Sequence, residues 1–274
     1  MPAIGLDSRA APPYLSSMPI TQLNRSVFRL SGEDATAWLD GLISNSLTGT
    51  MTFAALLTPQ GKIIADFFVT KEGEDLLLDT PTKFAPDLFK RLRMYKLRAP
   101  IEITDITETH NVYAIWDGEG EDGHADPRHV TLGRRLITKD YLDAEGDYNA
   151  HRLSLGVVDS EWDFETVTTF PADANMDLMN GVDFKKGCFV GQEVVSRMKR
   201  MTTVKKRMRG LVLNGAAKAG DRIMAGERVI GDVKHVHGQM GMGLIRLNRL
   251  KSAEVEPTIN DVNVQIFGSI DGSE

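Results

Sequence analysis

Apolar and polar positions alternate in strand fashion over residues 25–30, and a helical period takes over directly afterwards. Ala35, Trp38, Leu39 and Leu42 fall at i, i+3, i+4 and i+7, which predicts a short amphipathic helix. Ser31, with Asp34 three residues on, reads as its N-cap in an acidic variant of the capping box. Residues 53–58 and 62–70 read as two strands joined by Pro59-Gln60-Gly61, whose turn chemistry predicts a hairpin. A turn over 71–74 and a strand over 75–79 follow. Pro81 and Pro86 mark the start of a longer helix that keeps Phe84, Leu88, Leu92 and Tyr95 on one face and stops before Pro100. Strands are expected at 101–104, 111–116 and 134–138, with an acidic surface loop over 117–124. Residues 148–155 have helical spacing closed by Gly156. No period is clear over 159–171, and no structure is assigned there. Residues 175–180 read as one helical turn closed by Gly181, and Val194, Met198 and Met201 then recur at i, i+4 and i+7 in a further helix.

Beyond residue 203 the texture changes. Short β-type runs at 208–213, 228–236, 242–247 and 263–267 are punctuated by frequent glycines, with no long amphipathic helix among them. That pattern predicts a small sandwich or barrel. The chain therefore divides into a body over residues 20–203 and a C-terminal β-barrel over 204–274.

Composition adds three constraints. At 274 residues, with 42% hydrophobic and 26% charged positions, the chain is an ordinary globular protein with no apolar run of membrane-spanning length. The first twenty residues carry Pro2, Pro12, Pro13 and Pro19, which predicts a loose arm rather than a secretory signal. A single cysteine permits no internal disulfide and fits a reducing compartment. The net charge of −6 is unevenly placed: residues 185–209 hold nine Lys and Arg against one acid, Glu193. A basic segment in an acidic chain points to an anionic ligand or partner, or to a solvated surface.

That segment surrounds the one cysteine. Gly187 and Gly191 bracket Cys188, Lys185 and Lys186 precede it, and Gln192 and Glu193 lead into the helix, where Glu193 and Arg197 form an i, i+4 pair. The pattern predicts a glycine turn presenting Cys188 at, or just before, a helix N-terminus, a setting that favours a thiolate. A lone cysteine also serves as a small buried hydrophobe, but a polar, glycine-rich setting is a poor place for a core filler. Other candidates are weaker. His235 and His237 share a strand face and read as two exposed histidines. Gly118, Gly120 and Gly123 match a dinucleotide-binding spacing, but the acids between them would repel a pyrophosphate. Asp66 lies in an apolar strand, where alternation favours a solvent-facing side chain over a pocket.

The run Lys186-Gly187-Cys188-Phe189-Val190-Gly191-Gln192-Glu193, with Arg197 following, closely resembles the signature of the YgfZ family of folate-binding proteins. That family is related to the glycine cleavage T-protein, a tetrahydrofolate-dependent aminomethyltransferase. Residues 30–35, 57–62 and 181–184 are similar to further family segments, and the likeness runs from about Val27 to the end of the chain. The resemblance implies an α+β fold: two interleaved α+β subdomains plus a small C-terminal β-barrel, in a T-protein-like ring whose central hole binds a folate.

The implied role is as an accessory factor in iron–sulfur cluster assembly or repair, including clusters of enzymes that modify tRNA, with Cys188 as the working thiol. Tetrahydrofolate or a related folate is the implied cofactor, with no resident metal, and Asp66, Lys186 and Gln192 are the candidate folate contacts. Since a cluster ordinarily takes about four thiolates, Cys188 would be a transient ligand shared with a partner. The implied partners are iron–sulfur proteins or assembly factors; neither a membrane nor a nucleic acid is expected. The compartment implied is a bacterial cytoplasm, with a mitochondrial matrix also compatible. The alternatives are a one-carbon (aminomethyl) transferase using Asp66, and a folate-binding scaffold in which Cys188 is structural. Three departures stand out. Ala65-Asp66 replaces two successive acids of the T-protein hairpin, removing one carboxylate available for acid–base chemistry. Ala172-Asp173 is shorter than the usual acid after Pro171. Residues 199–203 replace a glycine-containing turn into the barrel.

Overall fold

A computed structural model describes residues 18–118, 120–201 and 204–268. The proline-dotted residues 2–13, expected as an arm, and Thr202-Thr203 lie outside the described residues. In chain order the elements are β1 (Ile20–Leu23), β2 (Arg25–Ser31), α1 (Ala35–Asp40), β3 (Met51–Leu57), β4 (Ile63–Glu72), β5 (Asp75–Pro81), α2 (Ala85–Lys96), β6 (Glu102–Asp105), β7 (Asn111–Ile115), β8 (His124–Ala125) and β9 (Arg134–Thr138). They continue with α3 (Tyr148–Ser154), α4 (Gln192–Met201), β10 (Lys206–Leu213), β11 (Arg222–Ala225), β12 (Arg228–His237), β13 (Met240–Arg246), α5 (Leu247–Lys251), β14 (Thr258–Ile259) and β15 (Val262–Phe267).

Two sheets share the body. A five-stranded sheet runs β3-β4-β5-β2-β6, and a four-stranded sheet runs β1-β7-β9-β8. The chain starts the smaller sheet with β1, builds the whole larger sheet, then returns to pair β7 against β1, Ile20 opposite Ile115. This return interleaves the two subdomains. The third unit is a closed barrel of order β10-β13-β12-β11-β14-β15, sealed by β10 against β15. Closure removes the free edges that an open sheet would present.

Three main cores follow from these layers, beside two small clusters at the four-stranded sheet. Phe28, Leu30, Leu56, Phe67 and Leu78 meet Leu39 of α1 and Leu88 and Leu92 of α2 on one face of the larger sheet. On its other face Phe53, Leu57, Ile63 and Phe68 pack against Tyr148 and Leu153 of α3, Phe189, Val195 of α4, and Met208 and Met242 of the barrel. This central core fixes the barrel to the body. Leu211, Ile223, Ile230, Val233 and Ile245 fill the barrel interior.

Four local expectations are corrected. Ser31 is the last residue of β2, and Asp34 takes the N-cap position of α1 without a capping side-chain bond. Residues 175–180 form successive turns instead of a helix, because Asn175 (φ 57°) and Asn180 (φ 54°) adopt left-handed backbone. Asp66 is buried: with both faces of the larger sheet covered, Ile63 to Thr70 are all buried and alternation loses its meaning. His235 and His237 are half-buried against α3. His235 Nε2 meets Asn149 Nδ2 at 2.8 Å, and His237 Nε2 meets Asp147 Oδ2 at 2.6 Å.

Candidate functional site

The tip of the β3–β4 hairpin is the centre of the site. Thr58 N donates to Lys62 O at 2.8 Å and Gly61 N to Thr58 O at 2.8 Å, with Gly61 at φ +75°. The turn carrying Cys188 is seated on this tip. A Cβ on Gly191 (φ +82°) would stand 2.6 Å from Thr58 O and 3.1 Å from Gly61 Cα, so only glycine allows the two backbones to meet. Val194 of α4 packs on Gly61 beside the Gly191 backbone.

Cys188 lies four residues ahead of α4 and is exposed. It is no core filler; that position is taken by Phe189, which is buried in the central core. Gly187 beside it faces open space, and a methyl group added there would meet no atom within 4 Å. Glu193 and Arg197 form their exposed i, i+4 pair at 2.6 Å. Lys186 is turned inward: its Nζ donates to the carbonyls of Asp40 (2.6 Å), Ile43 (3.0 Å) and Asn45 (2.9 Å). Burial lowers its pKa, against the opposing pull of Asp40. Gln192 Nε2 donates back to Lys186 O at 3.3 Å, closing the turn.

Lys62 of the hairpin tip also lines a half-open cavity of about 770 Å³ between body and barrel. The strap over residues 165–170 forms its floor, pairing with β4 through Ile63 N to Thr169 O (3.0 Å) and Val167 N to Ile63 O (2.6 Å). Val167 sits at φ 67°, a conformation that is costly for a β-branched residue. Lys62 Nζ donates to Thr168 O at 2.6 Å and lies 3.1 Å from the centroid of Phe170. Burial lowers the Lys62 pKa, with Asp173 opposing, and burial raises that of Asp173, with Lys62 and Lys206 opposing. Trp162, at 51% exposure, stacks on His235 with centroids 5.5 Å apart. Burial and the Arg152 charge push His235 down to about 4. Phe164 completes an aromatic lining suited to a flat heterocycle.

Beneath the cavity is a buried charge network. Asp79 accepts from Arg25 (2.7 Å) and Arg135 (2.8 Å), Asp126 from Arg128 (2.8 Å), and Asp163 from Arg152 (2.7 Å). Burial pushes the Asp159 carboxyl up, but Arg128, Arg152 and Arg25 outweigh it and hold that group at about 2. Among the described residues Asp66 receives no arginine hydrogen bond; Ser160 Oγ donates to its Oδ1. Burial, reinforced by Asp159, raises the Asp66 pKa.

The signature residues thus come together as one unit, whereas the three candidate folate contacts do not reach the cavity. Asp66 is sealed under Ser160, Lys186 is bound by three carbonyls, and Gln192 closes the cysteine turn; none lines the cavity. The lining comes instead from Lys62, Trp162, Phe164, Phe170 and Asp173, mostly in or beside the aperiodic stretch over 159–171. The sequence signal there is three aromatic residues within nine positions that lack any helical or strand period. Among the described residues no group of three or more His, Cys, Asp or Glu is arranged to hold a metal ion, and no helix is long and apolar enough to cross a membrane.

Comparison with known proteins agrees with this architecture. The family model of the CAF17 C-terminal beta-barrel domain matches residues 199–268. The chain is 30% identical over 219 residues to the mitochondrial iron–sulfur cluster assembly factor IBA57 homolog of Mycosarcoma maydis, covering 68% of this chain and 54% of that protein. It is 30% identical over 229 residues to the Pyricularia oryzae homolog (73% and 58%), and 26% identical over 276 residues to mitochondrial IBA57 of Mus musculus (83% and 77%). The chain thus spans little more than half the length of the two fungal relatives. The crystal structure of glycine cleavage system aminomethyltransferase T from Bartonella henselae superposes with a TM-score of 0.71 at 13% identity, over 92% of this chain and 85% of that one, a likeness of fold alone. The chain belongs to the IBA57/CAF17 family of YgfZ homologues, with a T-protein-like α+β body and a six-stranded C-terminal β-barrel.

Proposed function

We propose that this protein is a tetrahydrofolate-binding accessory factor for iron–sulfur cluster assembly or repair, acting through the Cys188 thiol. One observation carries the reading: the turn that carries the exposed thiol packs on the same hairpin tip whose Lys62 lines the aromatic cavity. The cavity volume lies in the range of small-ligand sites, about 300–1,000 Å³. Its rings supply stacking for a pterin, Asp173 an acceptor for ring N–H groups, and the lysines a counter-charge for carboxylates.

The chain has one cysteine, while an ordinary cluster takes about four thiolates. The cluster is therefore cargo, and a partner iron–sulfur protein supplies the remaining ligands. Lys185, Lys199 and Arg200, exposed and close to the thiol in sequence, favour an acidic partner face. A reducing compartment, bacterial cytoplasm or mitochondrial matrix, keeps the thiol free; the relatives described above are named as mitochondrial.

The aminomethyltransferase reading is weaker. It requires Asp66 to meet substrate, and Asp66 is buried, bonded to Ser160 and outside the cavity lining. Ala65 removes the neighbouring carboxylate.

The test is genetic. In cells lacking the native gene, wild type restores the activity of cluster-dependent enzymes, and Cys188→Ala or Cys188→Ser at equal protein level does not. Full restoration by either variant would remove the thiol from the mechanism.

A further inference from the structure

The walls of the cavity differ in charge. Its four acids, Glu161, Asp163, Glu165 and Asp173, all lie on the body side with Lys62 and Lys83, and Asp163 is paired with the buried Arg152. The barrel side contributes Lys205, Lys206 and Lys234 and no acid. Lys206 bears electrostatically on Asp173 and Lys62. Lys205 and Lys234 have no hydrogen-bonded or ion-paired side-chain partner among the described residues.

Lys234 is half-buried, a costly position for an ammonium without a counter-ion. Its backbone is also special. Val233 pairs with Gly243 and His235 with Met242, so Lys234 is the extra residue of a β-bulge in β12. A bulge re-aims one side chain out of the regular alternation. Here the residue concerned is a cation lining the cavity, within a strand whose neighbours Val233 and His235 face the barrel core and Trp162.

We propose that this barrel wall holds an oligo-anionic tail, so that the cavity selects a folate extended by a chain of γ-linked glutamates over the monoglutamate. The inference rests on the folate reading and adds the form of the ligand. The ring system occupies the aromatic, acid-bearing body side. Each added glutamate brings one carboxylate, and the tail runs along Lys206, Lys234 and Lys205 toward solvent, where charge-assisted hydrogen bonds replace water at Lys205 and Lys234, which have no side-chain partner among the described residues.

The experiment is a pair of titrations of the full chain, with tetrahydropteroyl-monoglutamate and with the corresponding pentaglutamate, at low and at raised salt. The pentaglutamate is expected to bind about tenfold more tightly at low salt, as several partly exposed charge pairs would give, and the preference should shrink as salt is raised. In Lys205→Glu, an exposed substitution that leaves the barrel core intact, and in Lys234→Gln, the ratio of the two affinities should collapse toward one. Equal binding of the two ligands to wild type overturns this inference and leaves the folate reading standing. A preference undiminished in both variants also overturns it. If neither ligand binds, the folate reading fails, and this inference with it.

Discussion

Replacing Lys186 by methionine separates a structural role from a ligand-binding one. The Nζ of Lys186 donates three hydrogen bonds of 2.6–3.0 Å to the carbonyls of Asp40, Ile43 and Asn45 and lies 3.4 Å from Asp40 Oδ2. Its side chain is 3% exposed. Asp40 ends α1, whose last carbonyls have no partner within the helix and carry its negative dipole end. The ammonium therefore caps α1 and ties the loop beyond it to the cysteine turn. Hydrogen bonds to a charged group contribute about 1.5–3 kcal/mol each, and ammonium burial takes back several kcal/mol of that. Removing the charge leaves three carbonyls short of a donor, which sets the net loss at about 3–5 kcal/mol. For a chain of this size that is a fall in melting midpoint of roughly 10 °C. Lys186→Arg should recover little, because a planar fork cannot direct three donors as a tripod. The assay is thermal and denaturant unfolding of both variants, with a tetrahydrofolate titration at a temperature where they remain folded. A Lys186→Met protein that melts with wild type but no longer binds the ligand would refute this assignment.

The other two expectations concern neighbouring positions. Gly191→Ala places a methyl 2.6 Å from Thr58 O at φ +82° and should cost about 2–4 kcal/mol, whereas Gly187→Ala, in open space, should stay within about 0.5 kcal/mol of wild type; matched melts for the two would show that the turn is not pinned to the hairpin tip. Asp66 has a folded-state pKa raised chiefly by burial, so ionisation at higher pH opposes folding. Its contribution is fully present below the unfolded carboxyl pKa, near 4, and is lost as pH rises through the folded value. Asp66→Asn removes that loss, so its stability relative to wild type should improve with rising pH; a difference that is flat across the range would contradict it.

Much of the fold is readable from the sequence because its signals are local. The hairpin at Pro59-Gln60-Gly61, the helix over Ala85–Lys96 and the glycine-rich barrel strands each satisfy one period or one turn rule within their own residues. The site is readable only in part. Cys188 and its glycines announce themselves by type and spacing, but the role of Lys186 depends on three carbonyls more than 140 positions away in sequence. Alternation misplaces Asp66 because it assumes one wet face, and packing against α3 and the barrel leaves this sheet none. The strap that floors the cavity has no period because its backbone bonds to Ile63 of β4, and the hydrogen bonds within it come from the Thr168 and Thr169 hydroxyls.

That strap bears on how cavity and thiol communicate. Ile63 opens β4 and bonds the strap through both N and O, and Lys62 one residue earlier reaches into the cavity. Gly61, one residue earlier again, is the point where Gly191 and Val194 bear on the hairpin. Three consecutive residues thus touch both the cavity floor and the cysteine turn. The tip is also closed by two backbone hydrogen bonds among Thr58, Gly61 and Lys62, so it moves as a unit if it moves at all. Lys62 and the Val167 strap are thus separated from Gly191 by the hairpin tip alone, a contiguous packed path between the cavity and the cysteine turn. On the proposed reading, a folate in the cavity would have a contiguous path to the cysteine turn, although the cavity and Cys188 share no lining residue.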